Sequence, residues 1–325
     1  MLQQTTVVAV VPYFARFLIA FPTVHALAAA DEQQVLKLWE GLGYYRRARH
    51  LHAAAKALVA NHEGTLPDDP TVWAALPGVG RYILGAVLSQ AFDLRLPIVE
   101  ANSLRVLARL FGYSGDPRVG EGQKWVWAAA ESLLPTKRVG DFNQALMELG
   151  ALVCTPTSPA CAKCPLALNC IANRDGLQHA IPPKKAPKVI EEVHEAAVVI
   201  CDRGKVLLGR RPADAARWQN MWEVPHAEVT ISRTRNRRME ERAAAVRIAK
   251  ELTGLDVAIG DEICTIRHSV TRYAISMTCL AAKRVRGRVR SKFYAELKWV
   301  ALADLANYPV SSPQRKLMAA LGLAR

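Results

Sequence analysis

The 325-residue chain is 51% hydrophobic, which is enough apolar material for two separate cores. An apolar run of the roughly 20 residues that a membrane span needs is absent, and the opening sequence MLQQTTVVAVVPYF lacks the features of a secretory signal, so we expect an intracellular, cytoplasmic protein. The net charge of +14 favours a polyanionic partner such as nucleic acid, although a basic surface that only confers solubility explains the charge equally well.

Residues 1–177 are expected to form a compact all-helical domain. Ala and Leu recur there at helical spacing, and short Gly/Pro segments such as 66–70 and 76–80 separate the helices. The Pro- and Lys-rich sequence IPPKKAPKV has no apolar periodicity, and it indicates an exposed connector over residues 178–192.

Residues 193–325 are expected to form a second, α+β domain. Two β-rich runs, 196–200 and 206–208, flank a turn at 202–204, and the sequence AAAVRIAKELTG predicts a later helix. The sequence KRVRGRVR predicts a strand that places four arginines on one face: Arg284, Arg286, Arg288 and Arg290. Such a face either contacts nucleic acid or is a solvated strand edge.

Four of the seven cysteines lie in one short loop with the spacing C-x6-C-x2-C-x5-C: Cys154, Cys161, Cys164 and Cys170. Disulfide pairs are not expected in an intracellular protein, whereas four adjacent thiolates suit a tetrahedral metal ion or a cubane cluster. Zinc sites more often use two separated cysteine pairs. An iron–sulfur cluster and a zinc ion both stay open at this point.

The sequence around Gly78, Val79 and Gly80 joins two predicted helices. Its glycines allow backbone amides to converge at the N-terminus of the second helix, where a phosphate can bind. Taken alone, the same motif is also typical of an ordinary tight turn between packed helices.

Several longer segments follow one another in a specific order. LPGVGRYILGAVLSQAF and IVEANSLRVLARL, with WEGLGYYRRARHLHAAAKAL before them and FNQALMELGALVC leading into the cysteines, resemble a helix-hairpin-helix glycosylase core. Together with LQQT at the start and a Nudix-like C-terminal half, the chain resembles the MutY adenine DNA glycosylase family of the iron–sulfur glycosylase superfamily. The resemblance implies a [4Fe-4S] cluster on the four cysteines. It also implies a monomer that removes adenine mispaired with 8-oxoguanine or guanine from double-stranded DNA, in base-excision repair.

A glycosylase has to flip the target nucleotide out of the duplex and fill the gap with side chains. The resemblance implies that Gln4 enters the base stack and that Leu42 and Tyr44 wedge beside the orphaned guanine. Packing between helices is the alternative for these residues. Gly78, Val79 and Gly80 are expected to bind the DNA backbone.

Cleavage of the N-glycosidic bond needs an acid for the adenine ring and a carboxylate that stabilises the cationic sugar. In the family this carboxylate is an Asp in a V/L-D-G-N motif, and the present chain has Glu100 there, followed by Ala101 and Asn102. The extra methylene moves the carboxylate by roughly an ångström. Gln144 and Asn102 are expected to bind the substrate, Gln144 by recognising the extruded adenine, unless it only caps a helix.

The family's acid is a Glu two residues before the Met of MLQQT, which would fall just upstream of Met1. The sequence therefore predicts an N-terminally shortened chain, through a misplaced start or a real truncation that impairs activity. Tyr82 stands where bifunctional relatives have a Lys that forms a Schiff base. This difference predicts monofunctional hydrolysis, with Tyr82 supporting the intermediate.

In the Nudix-like half, Ile248 and Leu252 stand where an active Nudix enzyme has glutamates, which excludes nucleotide hydrolysis. The family's H-x-F-S-H loop corresponds here to residues 268–272. His268, Thr271 and Arg272 are therefore expected to contact DNA near the oxidised guanine, and an exposed β-turn is the alternative.

Three functions follow from this comparison. An adenine DNA glycosylase is the main hypothesis, and the alternative is a catalytically impaired iron–sulfur protein that recognises the mismatch without excision. A thymine-glycol glycosylase with lyase activity is disfavoured by Tyr82 and by the additional C-terminal domain.

Overall fold

The computed structural model describes residues 1–185, 189–230 and 237–322. Two compact units form: one combines Met1–Val59 with Lys188–Arg325, and the other is Ala60–Pro187. The first 59 residues thus group with the C-terminal part, whereas we expected them to form one domain with the other helices of residues 1–177. The boundaries 1–177, 178–192 and 193–325 stay a prediction, and residues 186–188 of the predicted connector lie outside the described residues.

The prediction that residues 1–177 are helical is confirmed. This part contains α1 (Val7–Ala20), α2 (Val24–Ala29), α3 (Glu32–Trp39), α4 (Arg46–His62), α5 (Pro70–Ala75), α6 (Arg81–Phe92), α7 (Ala101–Leu110), α8 (Gly120–Ser132), α9 (Val139–Glu148) and α10 (Ile171–Arg174). A π-helical turn, Leu149–Val153, extends α9, and short 3-10 turns occur in the cysteine loop. None of the helices in the described ranges is both long and apolar enough to cross a bilayer.

Helix starts follow from local chemistry. Asp31 accepts a hydrogen bond from the Gln33 amide and forms a capping box at α3. Asp69 caps α5 through its side chain. Pro70 occupies the first helical position, where a missing N–H costs nothing. These caps fix where the helices begin, and thereby the loops between them.

In the second unit, α7 packs at the centre of a core built from Val106, Leu107, Val126 and Leu146. The segment that leads into α7 is held by Asn143 of α9. Its Nδ2 donates to the Leu96 carbonyl at 2.9 Å and to the Ser89 hydroxyl at 3.0 Å, and its Oδ1 accepts from the Ile98 amide at 3.3 Å. A buried amide that satisfies three polar partners fixes the backbone just before residue 100.

The C-terminal residues form an α+β domain, as predicted. Its elements are β1 (Glu191–Asp202), β2 (Lys205–Arg210), β3 (Trp222–Glu223), β4 (His226–Glu228), α11 (Arg237–Thr253), β5 (Leu255–Val270), β6 (Tyr273–Gly287), β7 (Glu296–Ala301) and α12 (Ser312–Ala320). The described strands form one mixed sheet in the order β3-β2-β1-β6-β5, in which β1 and β6 are parallel, β4 pairs with β1, and β7 with β2.

Alternation along β1 supplies a core on each face of the sheet. Ala197 and Val199 face α12, where Leu317 is buried with them, whereas Val198 and Ile200 pack with Ile248 of α11. Ile248 is 3% exposed, so a position where active Nudix enzymes have a glutamate is part of the core here.

The predicted turn at 202–204 joins β1 to β2. Asp202 pairs with Lys205, and Arg203 and Gly204 have φ angles of 48° and 74°, as a two-residue hairpin turn requires. The prediction that the arginine-rich sequence continues as one strand is wrong. β6 ends at Gly287, whose φ of 109° interrupts the extended backbone before Arg288.

The first helices pack within the same unit as the sheet. Val35, Leu36 and Trp39 of α3 are buried in one core cluster with Met221. Gln33 links the two parts of this unit, since its Oε1 accepts from Trp222 Nε1 at 2.9 Å. These contacts explain why residues 1–59 group with the sheet.

Candidate functional site

Glu100 is the N-cap of α7 and lies in extended backbone. Its Oε1 accepts hydrogen bonds from the amides of Asn102 and Ser103, each at 2.8 Å, and the Ser103 hydroxyl accepts from the Glu100 amide at 2.9 Å. In the described residues, no hydrogen bond uses Oε2. The side chain therefore folds back over its own helix, where the dipole favours a negative charge, and keeps one carboxylate oxygen available.

Tyr82, the second residue of α6, lies close to this carboxylate. Burial raises the pKa of the Tyr82 phenol above its usual value, and the negative charge of Glu100 raises it further. The structure thus brings together the two residues predicted to be catalytic. The phenol keeps its proton at neutral pH and can donate a hydrogen bond.

Asn102 lies in the first turn of α7, and its side chain is engaged within the protein. Its Oδ1 accepts from Arg105 Nη2 at 3.0 Å. Gly150 packs so closely that a Cβ there would lie 2.7 Å from the Asn102 Cβ. The first turn of α7 is therefore held rigidly, and the predicted contact of Asn102 with substrate stays a prediction.

Gln144 is exposed in the middle of α9, and its Nε2 donates to Glu148 Oε1 at 2.7 Å, one turn later. Its position in the helix shows that the capping alternative is wrong. The amide group makes no contact with the core, so it is available for a ligand. Its role in recognising adenine stays a prediction.

Neighbouring amides of α9 allow a matched test. Replacing Asn143 by Ala should lower the free energy of unfolding by about 3 kcal/mol, because buried partners at Ser89, Leu96 and Ile98 lose their hydrogen bonds. Replacing the exposed Gln144 by Ala should change it by less than about 0.5 kcal/mol. Chemical denaturation measures both, and equal effects would contradict the structural role of Asn143.

The hairpin before α6 is a tight turn that leads directly into the helix. The Val79 amide donates to the Leu76 carbonyl at 3.1 Å, and Gly78 has a φ of 79°, which a residue with a side chain rarely adopts. Gly80 is the N-cap of α6 and has no neighbouring atom within 4 Å of its missing Cβ. The first amides of α6, which include that of Tyr82, follow directly after this open position and have no partner within the helix.

The four predicted ligands, Cys154, Cys161, Cys164 and Cys170, line one cavity together with Arg109. Burial and the negative charges of the three other sulfurs raise the pKa of the Cys161 thiol, which indicates that all four share one space. Within the described residues, however, no three side chains of His, Cys, Asp or Glu are grouped as a site for a single metal ion. Four cysteine thiols around one cavity are a ligand set that either a cubane cluster or zinc can use, so the [4Fe-4S] cluster stays a prediction.

The predicted wedge residues differ in exposure. Leu42 is 6% exposed and packs in the core of the first helices, which agrees with the helix-packing alternative. Tyr44 is 60% exposed and has a φ of 50°. Gln4 is exposed as well, with a φ of 55°. A positive φ angle raises the conformational energy of a residue with a side chain, and Gln4 and Tyr44 both have one. Backbone strain of this kind is common at functional sites.

Arg47 holds the backbones of these two loops. Its guanidinium donates to the Thr5 hydroxyl at 2.9 Å and to the Gly43 carbonyl at 3.2 Å, and it also donates to the Gln3 carbonyl. It also lies 5.3 Å from the centre of the Tyr44 ring. The loops that display Gln4 and Tyr44 are therefore fixed by one side chain.

The predicted contact residues of the Nudix-like half lie at the turn between β5 and β6. Thr271 is exposed with a φ of 55°, and Arg272 pairs with Glu191 at 3.0 Å. His268 points inward instead: its ring lies against Trp218 at 6.3 Å, and both ring nitrogens are buried without a partner in the described residues. Of the three predicted contact residues, Thr271 and Arg272 are exposed, whereas His268 is partly buried.

His268 should make stability depend on pH. Burial, followed by the charges of His226, Lys316 and Arg217, lowers the pKa of His268 from 6.5 to about 4. The folded state therefore binds fewer protons than the unfolded state between these values, and stability is lost as the pH falls from about 6.5 to about 4. His268→Phe should flatten that slope in denaturation measured across this range. An unchanged slope would contradict the burial of a neutral imidazole.

Three residues with structural roles were not predicted from the sequence: Arg105, Arg109 and Asn143. Arg105 donates to the carbonyls of Cys154 and Gly150, at 2.7 Å each. The spacing of the two arginines offers a signal, because residues four apart lie on the same face of a helix. Asn143 gave no signal, since its partners come from two other segments.

Comparisons with known proteins match two parts of the chain to known families. Residues 1–130 match the model of the HhH-GPD superfamily base excision DNA repair protein, and residues 195–320 match a NUDIX domain. An adenine DNA glycosylase of Buchnera aphidicola subsp. Schizaphis graminum is 35% identical over 231 residues, 71% of this chain and 66% of the relative. That of Rattus norvegicus is 43% identical over 175 residues, 54% of this chain and 34% of the relative.

The chain spans less than two thirds of the length of these relatives. Among solved structures, a thermostable thymine-DNA glycosylase is similar with a TM-score of 0.48 and 28% identity, over 54% of this chain and 80% of that one. Residues 1–130 thus match an HhH-GPD domain of base excision DNA repair proteins, residues 195–320 match a NUDIX domain, and adenine DNA glycosylases are homologues of this chain.

Proposed function

We propose that the protein is a monofunctional adenine DNA glycosylase that acts, as a monomer, on adenine mispaired with 8-oxoguanine or guanine in double-stranded DNA. One observation carries the proposal: Glu100 presents a carboxylate at the N-terminus of α7, beside the phenol of Tyr82, which lies in the first turn of α6 directly after the hairpin. A DNA backbone phosphate on that hairpin would bring the adjoining sugar to the carboxylate. The similarity to adenine DNA glycosylases supports adenine as the nucleobase that is removed.

The carboxylate acts on charge that develops during the reaction. As the bond between adenine and the sugar breaks, adenine leaves with the electron pair and takes up a proton, and the sugar becomes positively charged. The free oxygen of Glu100 stabilises that charge, while the other oxygen stays on the amides of α7. Water then adds its oxygen to the sugar carbon and loses a proton.

Tyr82 determines the reaction class. A phenol cannot form the Schiff base through which a lysine would cleave the strand, so the reaction stops at an abasic site. Gln144 contributes an exposed amide, which offers both a donor and an acceptor to the edge of adenine.

DNA binding is assigned to surfaces of both units. Gln4 and Tyr44, in their fixed loops, fill the space that the flipped nucleotide leaves, and Leu42 supports Tyr44 from the core. Gly78, Val79 and Gly80 hold the backbone, and Thr271 and Arg272 contact the strand opposite adenine, with His268 behind them. The net charge of +14 favours association with duplex DNA.

The cysteine cavity fits a [4Fe-4S] cluster held by Cys154, Cys161, Cys164 and Cys170. When bound, such a cluster supplies a cross-link between the four sulfurs and a redox-active centre. The protein holds Lys163, which is exposed on the same loop, in a position to pair with a phosphate. Glu100 and Tyr82 act independently of any electron transfer.

The proposed function is tested with duplexes that carry adenine opposite 8-oxoguanine and with matched duplexes that carry thymine there. We expect free adenine from the first duplex, an intact strand until the abasic site is cleaved by alkali, and no adduct on treatment with borohydride. Binding of the mismatch without release of adenine would instead support a damage-binding protein. A trapped adduct would contradict the monofunctional assignment.

A further inference from the structure

Arg109 is a buried side chain at which both ends of the cysteine loop meet. It belongs to α7 and is 3% exposed. Its Nε donates to the Ile181 carbonyl at 2.9 Å, and its Nη1 donates to the Thr155 carbonyl at 2.8 Å. Nη2 donates to the Pro156 carbonyl at 3.2 Å. One guanidinium thus ties the beginning of the loop to the segment that follows its end.

Arg109 also contacts the first and the last of the four cysteines. Its Nη1 lies 3.3 Å from Cys154 Sγ, and Cys170 Sγ lies 3.4 Å from its carbonyl oxygen. The side chain lines the same cavity as the four sulfurs. In the described residues, no other arginine makes a hydrogen bond to a cysteine sulfur.

We propose that Arg109 is the positioning residue of the cluster site: it closes the cysteine loop at both ends and donates a hydrogen bond to the Cys154 sulfur, and so determines how firmly the cluster is retained and at which potential it is reduced. This inference rests on the cluster assigned under the proposed function. It adds a residue that is not a ligand.

The chemistry of guanidinium explains both effects. Its five donors form a rigid planar fork, which can reach carbonyls on opposite sides, whereas lysine has one nitrogen on a flexible stem. A cationic donor to a thiolate stabilises the more negative, reduced form of the cluster and therefore raises the reduction potential. Loss of the fork should loosen the loop and shift the potential in the negative direction.

Arg109→Lys is compared with wild type and with Arg118→Lys after anaerobic reconstitution with iron and sulfide. Arg118 belongs to the same unit, pairs with Asp116 at 2.6 Å and donates to the Pro183 carbonyl at 2.8 Å, but in the described residues it makes no hydrogen bond to a cysteine. We expect Arg109→Lys to lose iron to a chelator about tenfold faster and to show a more negative potential in voltammetry, and Arg118→Lys to match wild type. Wild-type behaviour of Arg109→Lys would overturn the inference.

A measurement on wild-type protein covers the case in which Arg109→Lys does not fold. With ¹⁵N-arginine, the reduced cluster should show hyperfine coupling to a guanidinium nitrogen, and absence of coupling would overturn the inference. Wild-type protein that binds no cluster would contradict both the positioning role of Arg109 and the assignment of a [4Fe-4S] cluster. Failure of adenine release, which is measured separately, would affect only the proposed activity.

Discussion

Replacing Glu100 by Gln should lower the single-turnover rate of adenine release by about 10²- to 10³-fold. The change removes the negative charge that stabilises the cationic sugar. It keeps a side-chain oxygen that can accept from the amides of Asn102 and Ser103. The unfolding free energy should therefore change little, which separates a chemical effect from a structural one. Rapid-quench kinetics and chemical denaturation measure the two quantities.

Glu100→Asp is the matched control for this substitution. Asp is a favourable N-cap, and it is the residue that the MutY-type motif has at this position. The shorter side chain retains the charge and should keep the rate at or above that of the unchanged protein. A Glu100→Gln variant that releases adenine at the wild-type rate would contradict the assignment of Glu100.

Replacing Cys161 by Ser should abolish retention of a four-iron cluster and weaken binding to mismatched duplex by about tenfold or more. Cys161 lines the cavity with the three other ligands, so its loss leaves one corner of the cluster open. The loop that carries Lys163 would then lose its cross-link. Iron analysis, absorbance and equilibrium binding measure these effects.

Cys201→Ser provides the control, because Cys201 is exposed and belongs to the other unit. It should retain iron and affinity as wild type does. Equal loss in both variants, or full iron content in Cys161→Ser, would contradict the four-cysteine site. Zinc in place of iron in the purified protein would favour the alternative metal.

The periodic parts of the fold were predictable from sequence. Helical spacing predicted the helices of residues 1–177, and the two-residue turn around Gly204 predicted the hairpin between β1 and β2. The end of β6 at Gly287 was not predicted. Alternating arginines suggest a continuing strand, but a glycine with positive φ ends it.

Contacts between distant segments of the chain could not be predicted from the sequence. The grouping of the first 59 residues with the sheet depends on pairs such as Gln33 and Trp222, which no local pattern reveals. The candidate site was predicted residue by residue from motifs, yet the burial of Leu42 and the inward orientation of His268 follow from packing. The role of Arg47 also follows from packing, because its acceptors come from two separate loops.

The most direct test of the central claim is single-turnover release of adenine from a duplex with adenine opposite 8-oxoguanine. It compares the wild-type chain with its Glu100→Gln variant. We predict that wild type releases adenine and leaves an intact abasic strand, and that Glu100→Gln binds the duplex but releases adenine about 10²- to 10³-fold more slowly. Binding of the mismatch by both forms without release from either would contradict a glycosylase and indicate a protein that only recognises the mismatch.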